Sequence, residues 1–255
     1  KLPGVAKVIA VASAKGGVGK SSVAVNLALS LSAAGHKVGL LDADVYGPSV
    51  PTMLGIEESP EVTADKGIVP VSSHGLQVIS MGLLMPPDRA VIWRGPLVFS
   101  AIRQFLKDVR WSDLDYLVVD MPPGTGDAQL TLIQQVPLSG VVMVTTPQEV
   151  ALADVRRGIA MFRETQVPVL GVVENMSYFV CPDNGKQYDI FGHGGGAEVA
   201  AQYQLPLLAD IPIDPAIRQG GDAGRPAALV EGSAVQEVFG RLASKVHELA
   251  VAPAD

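Results

Sequence analysis

The sequence predicts an α/β protein with a doubly wound, mostly parallel sheet and helices on both of its faces. Short apolar runs rich in β-branched residues alternate along the chain with longer segments of helical periodicity. Several runs, such as residues 117–119, are apolar at consecutive positions, which is typical of strands covered on both faces. Strands that alternate with helices in this way favour a parallel sheet over an antiparallel one.

The individual elements follow from those runs. Seven strands are predicted, at Lys7–Ser13, Lys37–Asp42, Leu76–Ser80, Tyr116–Asp120, Gly140–Thr145, Val169–Glu174 and Leu207–Ile211. Five helices are predicted, at Lys20–Ala34, Pro96–Val109, Ala128–Gln135, Ala151–Thr165 and Ala234–Ala250. Gly35 follows the first helix, where a left-handed cap is expected. Residues 56–75 predict an excursion or small hairpin rather than a linker, so residues 1–255 are interpreted as one domain.

Composition excludes several classes of protein. Apolar residues make up 48% of the 255, enough for a sizeable core, which excludes a disordered chain. The net charge of −7, from 19 basic and 26 acidic residues, disfavours nonspecific binding of nucleic acid. A single cysteine cannot form an intramolecular disulfide, and it favours a reducing, cytoplasmic setting.

The sequence carries no membrane or secretion signal. No apolar run reaches the roughly 18 to 20 residues that cross a bilayer, and no signal-peptide pattern is present. The last predicted helix has apolar residues at helical spacing, which indicates a core-docking face, and its other face is not basic enough for membrane targeting. The sequence begins at Lys1 rather than Met, so we interpret it as a fragment that lacks an N-terminal domain.

The strongest functional signal is a phosphate-binding loop at residues 13–22, between the first predicted strand and helix. Its glycines allow backbone N–H groups to turn around an anion, and the helix adds the positive end of its dipole. Lys20 can contact the β- and γ-phosphates, and the Ser21 hydroxyl can hold Mg²⁺. Ala14 replaces the first glycine of the usual formula, whereas Gly19, Lys20 and Ser21 match it. A second cation, Lys15, lies on the loop itself.

Acidic residues end two of the predicted strands. Asp42 and Asp44 follow the second strand, and Asp120 ends a very apolar run, as a Walker B carboxylate does. Ligands of open α/β sheets bind beyond the carboxyl ends of the strands, so these side chains are expected near the phosphate loop. The glycines of the next loop, with Gly124 among them, suit a segment that contacts a γ-phosphate and moves when it leaves. Asp127 is equally compatible with a structural role in the turn.

These motifs resemble those of the MinD/ParA-type (SIMIBI) ATPases, with Lys15 as the signature lysine of their deviant Walker A motif. Within that class the chain is more similar to the Mrp/ApbC family of iron–sulfur cluster carriers. The resemblance covers about residues 2–249, and its motifs lie at residues 15–21, 42–51, 92–96, 115–127, 174–178 and 191–196.

The resemblance implies a Mg-dependent, slow ATPase that dimerises with ATP between its subunits. Lys15 would extend to the partner's nucleotide, Asp44 would activate the attacking water, and Gly124 would lie in switch II. Asn175 would contact the adenine, and the region of Pro212 would close the base pocket. The predicted nucleotide site consists of Lys15, Gly16, Gly17, Val18, Gly19, Lys20, Ser21, Ser22, Gly124, Asn175 and Pro212, with Lys15, Lys20 and Asp44 catalytic and Ser21, Asp44 and Asp120 at Mg²⁺.

One position departs from the family pattern. Cluster carriers of this family have two cysteines in a C-x-x-C motif, whereas this chain has Cys181 followed by Asn184. Iron–sulfur clusters usually need four thiolates, and a dimer of this chain supplies two. Three interpretations stay open: Cys181 binds a cluster with other ligands such as Asp183, His193 or a client protein; the cluster is labile or held differently; or cluster binding has been lost.

Two functions from different classes compete on this evidence. The first is an ATP-hydrolysing iron–sulfur cluster carrier whose partners are itself and client or scaffold proteins, with no nucleic acid or membrane. The second is a spatial-organising ATPase of the MinD or ParA kind, which the acidic balance and the last helix disfavour. A metabolic P-loop kinase would need an acceptor site, for which the sequence shows no motif.

Overall fold

A computed structural model describes residues 2–44, 47–84 and 106–250. The strands are β1 (Val5–Ala12), β2 (Val38–Asp42), β3 (Glu61–Val62), β4 (Ile68–Val69), β5 (Val71–Ser73), β6 (Leu76–Ser80), β7 (Leu114–Asp120), β8 (Gly140–Thr145), β9 (Val169–Glu174), β10 (Phe179–Val180), β11 (Gln187–Tyr188) and β12 (Leu207–Asp210). The helices are α1 (Lys20–Ala33), α2 (Val50–Leu54), α3 (Asp127–Gln135), α4 (Glu149–Glu164), α5 (Gly195–Gln202), α6 (Pro215–Asp222) and α7 (Ala234–Leu249).

Eight of these strands form one central sheet in the order β12-β9-β8-β1-β7-β2-β6-β5. All neighbours pair in parallel except β5, which runs antiparallel to β6 at one edge. The seven predicted strands are the seven parallel ones. The prediction of a doubly wound, mostly parallel sheet is therefore confirmed.

Strand β1 shows why its apolar residues run without interruption. Ile9 and Val11 belong to the hydrophobic core on one face of the sheet, and Val8, Ala10 and Ala12 belong to the core on the other. Alternate side chains of a strand point to opposite faces, so a strand covered on both sides needs apolar residues at every position. Burying a large aliphatic side chain stabilises the fold by about 1.5–3 kcal/mol, so residues on both faces of β1 contribute to stability.

The helices divide between the two faces of the sheet. Helices α1 and α7 contribute to the core that contains Ile9, and helices α3, α4 and α5 contribute to the core that contains Val8. Helix α1 ends as predicted: Gly35 has φ +95° and its N–H donates to the Ser32 carbonyl. Glycine adopts that left-handed conformation without strain, so the chain can turn sharply into β2.

The structure adds elements that the sequence did not predict. Helices α2, α5 and α6 are short, and two antiparallel hairpins, β3–β4 and β10–β11, project from the sheet. The first hairpin and β5 occupy the predicted excursion at residues 56–75. Of the predicted helix at Pro96–Val109, residues 106–108 are helical, and the rest, with the motif at 92–96, lies mainly outside the described residues.

None of the helices in the described ranges combines the length and the apolarity that crossing a bilayer requires.

Candidate functional site

The loop between β1 and α1 forms a cradle at the carboxyl edge of the sheet. Gly17 and Gly19 both have φ +81°, a left-handed conformation that turns the backbone N–H groups of the loop to one side. A cavity of about 230 Å³ opens there, and Gly16, Lys20 and Ser21 are among the residues that line it. The cradle also faces the first turn of α1, so the partial positive charge of the helix favours an anion in this cavity.

Asn175, the residue after strand β9, binds the phosphate loop. Its Nδ2 donates a 2.9 Å hydrogen bond to the Val18 carbonyl, and both residues are buried. A Cβ on Gly19 would overlap the Asn175 side chain, so any other residue here would have to displace that amide and adopt a strained φ. Asn175, which the sequence predicts to contact the adenine, thus also holds the phosphate loop in shape.

Lys20 lies on the floor of the cavity and forms an ion pair with Asp120. Both side chains are buried, and the Lys20 Nζ also lies 3.3 Å from the Ser21 hydroxyl. The two charges come together because β7, which ends at Asp120, is the direct neighbour of β1 in the sheet. A buried lysine is tolerated in this place because a carboxylate meets it.

Asp120 retains an unused acceptor. Its Oδ2 is buried and has no hydrogen-bond partner among the described residues. Burial raises the pKa of Asp120 above its ordinary value, although the Lys20 ammonium acts in the opposite direction. An orphaned carboxylate oxygen beside the Ser21 hydroxyl is the oxygen donor set that Mg²⁺ takes together with nucleotide phosphates. The residues present therefore fit a magnesium ion.

Asp42 and Asp44 have different positions although they are two residues apart. Asp44 lines the phosphate cavity and is half-buried. Asp42 is fully buried, and its carboxylate accepts hydrogen bonds from the Asp44 N–H at 3.1 Å and from the Ser80 hydroxyl at 2.9 Å. Burial raises the pKa of Asp42 to about 7, and the charge of Asp120 beside it acts in the same direction. Asp42 thus anchors the segment that presents Asp44.

The loop that contains Gly124 rests against the phosphate loop. Gly124 has φ +97°, and its N–H donates a 3.0 Å hydrogen bond to the Ser13 carbonyl. The Gln129 side chain holds the same loop by donating a 2.6 Å hydrogen bond to the Pro122 carbonyl. Asp127 is exposed and stands in the first turn of α3, where a carboxylate stabilises the helix dipole.

A second cavity adjoins the phosphate cavity. Its volume is about 520 Å³, and it shares Gly19, Ser22, Ser49 and Met53 with the first. Asn175 and Pro212 both line it, as the prediction of a base pocket requires. The wall also includes Phe191, Ile213 and Ile217, none of which the sequence analysis assigned to the site, although Phe191 begins the motif at residues 191–196. A polar cradle that continues into a largely apolar cavity has the form of a nucleotide site.

Lys15 is on the other side of the loop. Its side chain is exposed and lines a separate cavity of about 160 Å³, together with Gln148 and Phe191. The phosphate cavity of the same chain does not include it among its lining residues. Lys15 thus faces outward from its own phosphate site.

Cys181 lies on the hairpin β10–β11. Its N–H donates to the Lys186 carbonyl and its own carbonyl accepts from the Gly185 N–H, both at 2.9 Å. Asn184, which replaces the second cysteine, accepts a 2.9 Å hydrogen bond from the Lys186 N–H and donates one to the Tyr188 hydroxyl. Across the described ranges no group of three or more His, Cys, Asp or Glu side chains is arranged to hold a metal ion.

Glu174, the last residue of β9, was not predicted as a site residue. Its buried carboxylate accepts hydrogen bonds from the N–H groups of Gly194 and Gly196 and from the Ser177 hydroxyl. His193, half-exposed, lies 3.1 Å from the same hydroxyl through its Nδ1. The run of glycines from 194 to 196 was the available signal, since only a backbone without side chains packs so closely around a carboxylate.

Comparison with known proteins agrees with this geometry. The model of the NUBPL iron-transfer P-loop NTPases matches residues 4–247. An iron–sulfur cluster carrier protein of Deinococcus radiodurans is 59% identical over 236 residues, which are 92% of this chain and 67% of that protein. The chain thus spans about two thirds of the length of such curated relatives.

Two solved structures are also similar. A nucleotide-binding protein from Archaeoglobus fulgidus, solved in complex with ADP, is 40% identical with a TM-score of 0.81, and the match covers 93% of each chain. The cell division ATPase MinD of Pyrococcus furiosus is 26% identical with a TM-score of 0.71, and the match covers 96% of this chain and 100% of that one. With the family model matching almost the whole chain, this protein belongs to the NUBPL iron-transfer P-loop NTPases.

Proposed function

We propose that this chain is a Mg-dependent ATPase that acts as a nucleotide-switched homodimer in iron–sulfur cluster transfer. The observation that carries the proposal is the phosphate cradle with the Lys20–Asp120 pair on its floor, continuous with a cavity large enough for a nucleoside. The Archaeoglobus fulgidus relative binds ADP, which supports an adenine nucleotide as the ligand.

The residues of the cradle divide the work on the triphosphate. The N–H groups of residues 16–21 donate to phosphate oxygens, and the Lys20 ammonium turns from Asp120 toward the β- and γ-phosphates as they arrive. Asp120 and Ser21 provide oxygens for Mg²⁺, and Asp44 orients the attacking water. When bound, Mg²⁺ neutralises phosphate charge and polarises the P–O bonds. The loop at Gly124 lies against Ser13 of the cradle, so it can respond to the γ-phosphate.

Dimerisation brings a second lysine, Lys15 of the other subunit, to the phosphates of each site. Lys15 is exposed and lines a cavity on the outer side of the loop, so in a face-to-face dimer it can extend into the partner's site. A lysine delivered in trans stabilises the negative charge that develops in the transition state. Closure of the dimer also excludes water from the two nucleotides.

The proposed cargo is an iron–sulfur cluster. This is supported by the Deinococcus radiodurans relative, which is an iron–sulfur cluster carrier protein. The residues of one chain do not fit a cluster held by four thiolates, because Cys181 is the only cysteine. We propose that Cys181 of each subunit contributes one thiolate and that other ligands, such as Asp183, His193 or a client protein, complete the set. Asn184 keeps the turn folded through its hydrogen bonds to Lys186 and Tyr188, so the hairpin needs no metal to form.

Two measurements test the proposal. Steady-state ATPase activity is expected to need Mg²⁺ and to be lost in Lys20→Ala, whereas Lys66→Ala, an exposed lysine of the β3–β4 hairpin, keeps it. Iron and sulfide analysis after anaerobic reconstitution is expected to show metal that Cys181→Ala loses. A protein that binds no adenine nucleotide contradicts the ATPase, and one that retains no iron contradicts the carrier role alone.

ATP-dependent co-sedimentation with liposomes or DNA would instead favour the second candidate, a spatial-organising ATPase of the MinD or ParA kind.

A further inference from the structure

Phe191 lies in the wall that two cavities share, as Met176 does. Its side chain is 39% exposed, and it lines both the 520 Å³ cavity of the base and the 160 Å³ cavity of Lys15. In the sequence it follows Tyr188, the end of the hairpin that carries Cys181, by three residues. An aromatic ring of this exposure at a cavity wall has a face that a ligand can cover.

The backbone after Phe191 is fixed by the end of β9. The carboxylate of Glu174 accepts the N–H groups of Gly194 and Gly196, and there is no space for a side chain at Gly195, where a Cβ would overlap Leu152. Gly192 and Gly194 have φ +89° and +81°, so the turn has a conformation that only glycine adopts without strain. The ring therefore has a defined position in the cavity wall.

The residues that share this wall are suited to a flat, apolar ligand. Pro212, Ile213 and Ile217 line the same cavity as Phe191, and Asn175 lies between them and the phosphate loop. Bases stack on aromatic rings with a contribution of about 1–3 kcal/mol each. The phosphate cradle, which shares Gly19 and Ser22 with this cavity, directs the base of a bound nucleotide toward it.

The same ring is connected to the hairpin through a tight turn. The Gly192 N–H donates to the Asp189 carbonyl at 3.2 Å, and Ile190 pairs with Gly192 in a β-bridge. A displacement of Phe191 therefore moves the short, hydrogen-bonded segment at residues 189–192, which directly follows β11.

We propose that Phe191 stacks on the nucleotide base and so couples occupancy of the base pocket to the hairpin that carries Cys181. The inference rests on the proposed nucleotide binding, and it adds a binding residue and a route to the cargo residue. It follows that ADP and ATP both restrain the hairpin, whereas a ligand with phosphates but no base leaves it as it is.

Affinity measurements by calorimetry test the stacking. Phe191→Ala is expected to weaken Mg-ADP about 5- to 150-fold, the factor that corresponds to one stacked base, and to leave the affinity for Mg-tripolyphosphate unchanged. Phe191→Trp, which keeps an aromatic face, and Ile190→Ala, an exposed apolar neighbour, are expected to bind Mg-ADP as the wild type does. Equal losses for both ligands in Phe191→Ala, or no loss for either, overturn the stacking.

The rate of maleimide labelling tests the coupling, because Cys181 is the only thiol in the chain. Saturating Mg-ADP is expected to slow labelling of the wild type relative to Mg-tripolyphosphate, and to have no such effect on Phe191→Ala. A wild type that binds Mg-ADP without a change in labelling overturns the coupling and leaves the proposed function intact. A wild type that binds neither ligand overturns both.

Discussion

Replacing Gly19 by alanine is expected to destabilise the protein in the absence of any ligand, whereas the same change at Gly16, in the same loop, is not. Gly19 has φ +81°, and a Cβ there would overlap the side-chain amide of Asn175. Gly16 has no positive φ, and a Cβ there would have no atom within 4 Å. The two substitutions add the same methyl group, so their difference measures the local constraint.

The magnitude follows from two contributions. The left-handed conformation costs an alanine about 1–2 kcal/mol. Displacing the Asn175 amide removes its 2.9 Å hydrogen bond to the Val18 carbonyl, a further loss of about 0.5–1.5 kcal/mol. Gly19→Ala is therefore expected to lose about 2–3 kcal/mol of the free energy of unfolding, while Gly16→Ala stays within about 1 kcal/mol of the wild type.

Urea unfolding followed by circular dichroism provides the measurement, with thermal unfolding as a second reading. For a chain of this size a loss of 1 kcal/mol lowers Tm by about 2–4 °C, so Gly19→Ala should melt roughly 4–12 °C below the wild type. In an Asn175→Ala background the overlap is absent, and Gly19→Ala should cost only the conformational part. Equal destabilisation by the two glycine substitutions, or additive effects of Gly19→Ala and Asn175→Ala, would refute the constraint that Asn175 places on residue 19.

Three further predictions concern buried groups and the hairpin. Because burial raises the pKa of Asp42 from 3.8 to about 7, the folded protein binds a proton that the unfolded chain releases, and stability is lost as the pH rises through 7. Urea unfolding should therefore show that the free energy of unfolding falls by about 1 kcal/mol from pH 6 to 8, and Asp42→Asn should abolish this loss. Asn184→Cys should raise the iron retained after anaerobic reconstitution, since a dimer then offers four thiolates; unchanged iron content would contradict the ligand count. Glu174→Gln replaces an acceptor with a donor and should cost about 1–3 kcal/mol in urea unfolding, while the exposed Glu237→Gln should change stability by less than about 0.5 kcal/mol.

The sequence was sufficient to predict the parallel sheet and the phosphate cradle, because each depends on local patterns. Strand β1 is apolar at consecutive positions since it supplies both cores, and the glycines of the loop are required by its backbone conformation. The positions of Asp120 and Lys20 were also predictable in outline. The carboxyl ends of neighbouring parallel strands lie at the same edge of the sheet. The residue that ends β7 and the helix that follows β1 therefore meet there.

The short helices were harder to predict because their signals are small or ambiguous. Helix α6 begins after Asp214, whose carboxylate accepts the Ala216 N–H as an N-cap, and Pro215 stands at its first position. These two residues do predict a helix start, but the helix is only eight residues long. Helix α5 begins within a run of glycines, which disfavour helix, and it forms because Val199 and Ala200 pack into the core.

The role of Phe191 could not be predicted from the sequence, because it depends on which residues the fold brings to the wall of the base cavity. Pro212 and Ile217 follow it by more than twenty positions, and no periodicity relates them. The same holds for Asn184: the residue type shows that a thiolate is missing, but only the coordinates show that its amide holds the turn.

Two adjacent residues at the end of β9 hold two different loops. Glu174 accepts hydrogen bonds from the glycine turn after Phe191, and Asn175 donates one to the phosphate loop. Neither loop can be exchanged for that of a related protein unless this dipeptide is compatible with the incoming backbone. Chimaeras that exchange the β10–β11 hairpin between family members should therefore fold when the junctions lie before residue 174 or after residue 196. They should fail when a junction separates Glu174 from Asn175.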